Sequence, residues 1–330
     1  MENGNGLIKG TGITNILNIV EQCAPFPYPV VIIGETGVGK NRLARAIHNY
    51  SKRDPYVHCI IASLNPNLVE AELFGHAKGS FTGAVTSEAG FFRQAGKGTL
   101  FLDELDSLED YVQRRLLGVL DTGVMYPVGS TKPVDVSCRI IAAVHKPLDN
   151  LVHDSSFRSD LRYRLGCVEI EIPPLRNRGY EAIAELANYF LVEQINQLRT
   201  THQMTIPDLS YTDAALQKLG SYSWPGNVRQ LEMVVKSAIV RSVKEGEIDS
   251  DAIKFPNDHF DFEDISAIDR LSRTSLGLHG YLQKVESELI EAALEQSNGN
   301  RSRAAQLLGV NRTAFFKKLT KFKKRECPKP

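Results

Sequence analysis

The sequence predicts an α/β domain built on a parallel sheet with helices on both faces, then a helical subdomain, then a C-terminal all-α helix-turn-helix. Three observations predict it. Short apolar runs alternate with helical patterns between residues 30 and 172. From Leu175 onward the apolar spacing is helical throughout. The last thirty residues hold ten of the 39 basic residues and one of the 39 acidic ones, arranged as a short helix, a glycine turn and a basic helix. The boundaries expected are 1–175 for the α/β part, 176–249 for the helical part, 250–280 for a polar linker and 281–330 for the terminal module.

Composition sets the bounds. The 330 residues are 42% apolar and 24% charged, ordinary for a water-soluble globular chain. No apolar run approaches the ~18 residues of a membrane span. The N-terminus, Met1-Glu2-Asn3-Gly4-Asn5-Gly6, lacks the regions of a signal peptide. Five cysteines lie scattered at 23, 59, 138, 167 and 327, which fits reduced thiols in a cytoplasmic protein. The eight histidines form no ligand spacing. A net charge of zero therefore hides one strongly basic end, the footprint of a nucleic-acid-binding module on a mildly acidic body.

In chain order, residues 1–29 read as a lead-in with one helix over 13–20, stopped by Pro25, Pro27 and Pro29; no separate sensory domain fits there. Residues 30–33 form a β-branched strand. Gly34-Glu35-Thr36-Gly37-Val38-Gly39-Lys40-Asn41 follows, leading into a helix with apolar residues at helical spacing. This is the layout of a phosphate-binding loop: glycines let backbone N–H groups wrap phosphate oxygens, the helix N-terminus adds favourable charge, and Lys40 reaches the β- and γ-phosphates. Asn41 stands where the general motif has a magnesium-holding Ser or Thr, so the ion is expected to be held through water and acids elsewhere.

Residues 56–61 read as a second buried strand, and 68–75 as a helix ending at Gly75. Residues 77–85 suit neither helix nor strand and read as a mobile loop with an exposed Phe81 and Thr82 at its tip. Residues 98–104 form a third strand ending in two acids. Asp103 is expected to hold the hydration shell of Mg2+, and Glu104 to orient and deprotonate the attacking water. Strands over 138–143 and 167–172 flank an arginine-dense helix at 157–165. Two helices follow, one marked by Ile183, Ala187 and Phe190, the other by Val228, Leu231, Val235 and Ala238. In the terminal module, helices are expected over 282–293, 301–308 and 312–324. Arg312, Thr313, Phe316 and Lys317 then face a major groove, while Lys318 and Lys321 face phosphates, with Arg301 and Asn311 completing the DNA-binding set.

Six motifs occur in order: Gly34 to Lys40, Glu72-Leu73-Phe74-Gly75-His76, Gly79-Ser80-Phe81-Thr82-Gly83-Ala84, Gly98 to Glu104, Pro173-Pro174-Leu175-Arg176, and Trp224-Pro225-Gly226-Asn227-Val228-Arg229. With them the chain resembles the bacterial enhancer-binding proteins, AAA+ activators of sigma-54 RNA polymerase, from about residue 7 to about residue 325. Its end resembles a Fis-type helix-turn-helix. The resemblance implies an AAA+ ATPase of the stand-alone type with an α-helical lid, assembling as a hexamer or heptamer with ATP between subunits. It implies that Arg158 and Arg164 act as arginine fingers in trans, and that Arg229 is the lid's nucleotide-sensing arginine. It implies further that Phe81, Thr82 and Gly83 touch sigma-54, and that hydrolysis converts a closed promoter complex into an open one. A regulator acting in trans is a further partner so implied. The alternative is a nucleotide-binding DNA-binding regulator that works without sigma-54; Thr82 and Glu104, needed only by the first reading, separate the two. A small-molecule kinase would leave the basic helix-turn-helix unexplained. Five positions depart from the family pattern: Ile60 for an Asn that restrains the catalytic glutamate, Val144-His145 for Thr-Asn, Gly118 for an Arg, and Ser80 for an Ala.

Overall fold

The computed structural model describes residues 2–3, 7–8, 13–81, 83–243, 246–255, 297 and 300–307. The chain divides into two compact units, Met1–Phe255 and Pro256–Pro330. The first unit holds helix α1 (Thr14–Cys23), strand β1 (Val30–Ile33), α2 (Lys40–Ser51), β2 (Tyr56–Ile60), α3 (Val69–Phe74) and α4 (Phe91–Ala95). Next come β3 (Thr99–Asp103), α5 (Asp110–Thr122), β4 (Arg139–Val144), α6 (Leu148–His153), α7 (Ser159–Leu165) and β5 (Val168–Glu171). The five strands are parallel, in the order β2-β3-β4-β1-β5.

That order decides which apolar runs are buried. All residues of β1 and β4 are buried, and all but Asp103 of β3. Alternate side chains serve opposite faces of the sheet. Val31, Ile33, Leu100, Leu102, Ile140 and Ala142 pack with Val112 and Leu116 of α5 and Leu161 of α7. Val30, Ile32, Phe101, Ile141 and Ala143 pack with Val20 of α1 and Leu43 and Ile47 of α2. The result is three layers, helix on sheet on helix. The expectation of a buried strand at 56–61 is corrected: β2 lies at the sheet edge, only Cys59 of it is buried, and Ile60 is 41% exposed.

Arg139, 2% exposed, ties the layers together. It donates to the carbonyls of Cys23, Ala24 and Tyr28, at 3.0, 2.5 and 3.2 Å. The first two are carbonyls at the C-terminal end of α1, where a cation is favoured.

The lid follows with α8 (Tyr180–Thr200), α9 (Asp213–Ser221) and α10 (Asn227–Ser242). Its core gathers Leu175, Phe190, Leu219, Trp224, Leu231 and Ile253. Two expectations are corrected here. The lid is not purely helical, because Ser210–Tyr211 pairs in parallel with Glu247–Ile248. Residues 250–255, read as linker, belong to its core: Ile253 is fully buried and the Phe255 ring stacks on Tyr222 at 3.8 Å. In the second unit, the described helix is Arg301–Leu307, with Asn300 Oδ1 accepting the N–H of Arg303 at 3.2 Å and Ala304 and Ala305 buried.

Candidate active site

Because β3, β4 and β1 are neighbours in the sheet, their C-terminal ends lie side by side. Parallel α/β sheets place ligands beyond such ends. Residues 34–39 leave β1 there and turn into α2, which Gly39 caps at φ +108°. Gly37 stands at φ +78°, and a Cβ on it would lie 2.5 Å from the carbonyl oxygen of Gly226, so the lid itself forbids a side chain. Lys40, 8% exposed, donates from Nζ to the carbonyls of Gly34 (2.7 Å) and Glu35 (3.3 Å). Burial pushes its ammonium pKa down, while Asp103, Asp106 and Glu104 hold it up.

Asp103 closes β3. Its Oδ1 accepts the N–H of Glu104 at 3.1 Å, and its Oδ2 lies 3.5 Å from Nε2 of His58 on β2. Glu104 adopts left-handed backbone at φ +57°, a strained conformation for this residue type of the kind found at functional sites. A single 3₁₀ turn, Leu105–Ser107, carries Asp106 back toward the end of β4. There His145 Nδ1 donates to Asp106 Oδ2 at 3.0 Å.

The lid closes the other side. The backbone N–H of Arg229 donates to the Gly37 carbonyl at 3.2 Å. Asn227 donates to Glu35 Oε2 and the Thr36 carbonyl, both at 3.0 Å, and accepts the Leu175 N–H at 2.8 Å. Arg176 grips both oxygens of Glu35, at 2.9 and 2.5 Å. That ion pair, with Asn227, holds the Glu35 carboxyl below the usual range. Arg178 donates to the carbonyls of Val38 (2.8 Å) and Pro173 (3.0 Å), and burial lowers its pKa to about 10.

A cleft of about 200 Å³ results, lined by Thr36, Gly37, Gly39, Lys40, Asn41, Asp103, Glu104, His145 and Arg229 among others. The structure thus brings together most residues expected of a nucleotide site. Arg158 and Arg164 do not join them. Arg158 pairs with Asp160 (2.8 Å) and Asp110 (3.1 Å), which hold its guanidinium firmly charged, and Arg164 pairs with Asp121. Phe81 is not the exposed tip expected: it is half-buried, its ring centroid 5.0 Å from that of His76, because the Gly79 N–H bonds the Ala84 carbonyl at 2.8 Å and closes the loop. Gly83 shares with it a cleft of about 420 Å³. Thr82 lies outside the described residues, as do Asn311, Arg312, Thr313, Phe316, Lys317, Lys318 and Lys321; Arg301 begins the described terminal helix.

Residues 7–171 match the Sigma-54 interaction domain, 176–259 the AAA+ ATPase lid domain, and 281–322 the Fis family of bacterial regulatory proteins. The chain is 35% identical to the Psp operon transcriptional activator of Escherichia coli (strain K12), covering 94% of this chain and 95% of that protein. The chain belongs to the AAA+ sigma-54-dependent transcriptional activators. Among other members of the family, it is 37% identical to the nitric oxide reductase transcription regulator NorR2 of Cupriavidus necator, covering 94% of this chain but 61% of that one. NtrX from Brucella abortus, solved in complex with ATP, superposes with a TM-score of 0.67 at 27% identity, covering 97% of this chain and 69% of that one. No helix among the described residues of this family member is long and apolar enough to cross a membrane.

Four residues around the cleft escaped the sequence reading: Asn227, Arg176, Arg178 and Asp106. Asn227 and Arg176 sit inside motifs recognised there, but nothing in their spacing says that each reaches the phosphate loop from the lid. Asp106 follows the acidic strand end by two residues, where one more acid in a turn carries no signal of its own.

Proposed function

We propose that the chain binds upstream DNA through its C-terminal module, assembles as a hexameric or heptameric ring, and uses ATP hydrolysis to remodel the closed complex of sigma-54 RNA polymerase into the open one. One observation carries this reading. Lys40, Asp103, Glu104 and Arg229 line one cleft, while the arginines matched to fingers, Arg158 and Arg164, stand apart from it. Phosphoryl transfer gains most from positive charge placed on the transferred group. In a ring, a neighbouring subunit supplies that charge.

Within the cleft, Lys40 binds the phosphates and Glu104 takes the proton of the attacking water. Arg229 reads the nucleotide and turns its presence into lid position. Magnesium fits the residues present. No three His, Cys, Asp or Glu side chains gather into a metal site among the described residues. Asp103 offers one carboxylate at the strand end, and Mg²⁺ commonly takes only one or two carboxylates while keeping waters and substrate phosphates. When bound, the ion neutralises charge on the β- and γ-oxygens. Phe81, Thr82 and Gly83 carry the result to sigma-54.

The test is transcription in vitro from a promoter carrying the upstream site, with sigma-54 or housekeeping holoenzyme, and with ATP or a non-hydrolysable analogue. Open complexes are expected with sigma-54 and hydrolysable ATP alone. Thr82→Ala is expected to keep hydrolysis and DNA binding and to lose open complexes. Opening without hydrolysis, or with the housekeeping enzyme, overturns the reading in favour of a regulator independent of sigma-54.

A further inference from the structure

His58 stands beside the acidic strand end without a part in the chemistry above. Strands β2 and β3 pair with His58 opposite Phe101 and Ile60 opposite Asp103. Side chains two apart in a strand share a face, so these four stand on the same side of the sheet. Phe101 packs there against α2, which leads out of the phosphate loop. The His58 imidazole stacks on the Phe101 ring, with centroids 4.8 Å and planes 26° apart. That contact fixes the plane of the imidazole. Its Nε2 is shut off from solvent, makes no hydrogen bond among the described residues, and lies 3.5 Å from Asp103 Oδ2.

A buried polar atom without a partner costs free energy, and a native structure that keeps one calls for a reason. Asp103 supplies it. Its Oδ1 accepts the Glu104 N–H at 3.1 Å, while Oδ2 accepts no hydrogen bond among the described residues. Ile60, opposite Asp103, offers it no polar group. A small turn of the carboxylate sets Oδ2 on the Nε2–H of His58. The neutral Nε2–H tautomer and the imidazolium both donate from that atom, so the contact asks for no change of charge. Each carboxylate oxygen has two lone pairs, so one held by the protein can still accept from the waters of a magnesium ion.

We infer that His58 is a positioning residue for Asp103: it donates from Nε2 to Oδ2 and holds the carboxylate at the angle that receives the magnesium hydration shell. This rests on the ATPase reading above. Because the other oxygen holds the Glu104 N–H, the same grip steadies the left-handed turn that presents Glu104. His58 is not among the residues lining the cleft, so it acts through Asp103. Partners that orient a metal-facing carboxylate are worth about 10–100-fold in metal affinity or activity.

The experiment uses the full-length protein and Mn²⁺, an ion that suits the same oxygen ligands as magnesium and whose free form is counted by paramagnetic resonance. Mn²⁺ is titrated in the presence of ADP into the wild type, His58→Phe and His58→Gln. Phe keeps the stack on Phe101 and removes the donor; Gln keeps a donor at similar reach and removes the ring. His58→Phe is expected to bind Mn²⁺ about 10-fold more weakly, and His58→Gln to recover most of that loss. ADP without metal is expected to bind all three alike. In turnover, His58→Phe is expected to need correspondingly more magnesium for half-maximal kcat. Equal Mn²⁺ affinity in the wild type and His58→Phe, or no recovery in His58→Gln, overturns the inference. So does an equal loss of metal-free ADP binding, which marks His58 as packing alone. His58→Met takes the place of His58→Phe if that variant does not fold. A wild type that binds Mn²⁺ with ADP but does not hydrolyse ATP defeats the ATPase reading, and the affinities then decide His58 by themselves. Hydrolysis with equal affinities defeats only His58.

Discussion

Asn227 is wholly buried at φ +51°, a left-handed conformation that Asn tolerates better than most side chains. Its amide joins three backbone or carboxylate partners that no other side chain could link at once. Asn227→Ala should lose about 2–4 kcal/mol of stability, since it orphans the Leu175 N–H and the Thr36 carbonyl in the interior. It should also weaken ATP binding; denaturant unfolding and a nucleotide titration read both, and unchanged values would relegate the residue to packing. The Asp106–His145 pair gives a second prediction. His145, whose folded pKa the Asp106 hydrogen bond raises, contributes stability that is complete below about pH 6.5 and is lost as pH rises through the folded value. Burial pushes the Asp106 carboxyl up, but the bonds and charge of His145 outweigh it and lower its folded pKa. Asp106 therefore contributes stability present above about pH 3.9 and lost as pH falls through the folded value. Urea midpoints of wild type and Asp106→Asn should therefore differ most at about pH 5.5 and converge toward about pH 8.5. A gap independent of pH would show that the pair does not titrate with folding.

Among the elements, α1 depends on one side chain from the start of β4. Arg139→Leu keeps much of the volume but strips donors from the carbonyls of Cys23, Ala24 and Tyr28. The expected loss is about 2–4 kcal/mol by chemical denaturation, and a loss under ~0.5 kcal/mol would mean that water replaces the guanidinium without cost. Elements with both faces covered were legible from sequence: β1, β3 and β4 are continuous apolar runs because helices lie above and below them. β2 misleads because Tyr56, Val57, Cys59 and Ile60 look equally apolar, and strand order, which makes β2 an edge, is not written in local pattern. Phe81 misleads for a similar reason. Flanking glycines signal a loop, but the hydrogen bond that folds it over His76 depends on a pairing the pattern does not encode. Residues 250–255 read as polar linker because one Ile and one Phe make no period, yet Trp224 and Tyr222 supply the surface that buries them.

At the scale of the whole molecule, the phosphate loop, the acids and the lid arginine were legible because each sits in a motif with its own chemistry. Their convergence on one cleft was not, since it follows from sheet order and from lid contacts some 190 residues away in sequence. Arg158 and Arg164, proposed as fingers acting in trans, lie apart from that cleft, which makes assembly testable by complementation. Arg158→Ala and Lys40→Ala, each expected to be inactive alone, should recover part of the ATPase rate when mixed, because some interfaces in a mixed ring combine an intact loop with an intact finger. Proven mixed assembly without recovered turnover would place the fingers elsewhere.

The lid's hold on the phosphate loop also has a thermodynamic consequence. Gly37, Thr36 and Glu35 are bonded through their carbonyl and carboxylate oxygens to Arg229, Asn227 and Arg176, so the loop proposed to cradle phosphate with its N–H groups also anchors α10 and the start of the lid. Whatever free energy the lid adds to nucleotide binding, nucleotide must return to lid closure, because such coupling is reciprocal. Amide hydrogen exchange along α10 should slow when nucleotide binds, and by the same factor that detaching the lid would weaken binding. On the proposed ATPase reading, each turnover that alters the phosphates loosens or tightens a lever whose fulcrum is the phosphate loop itself.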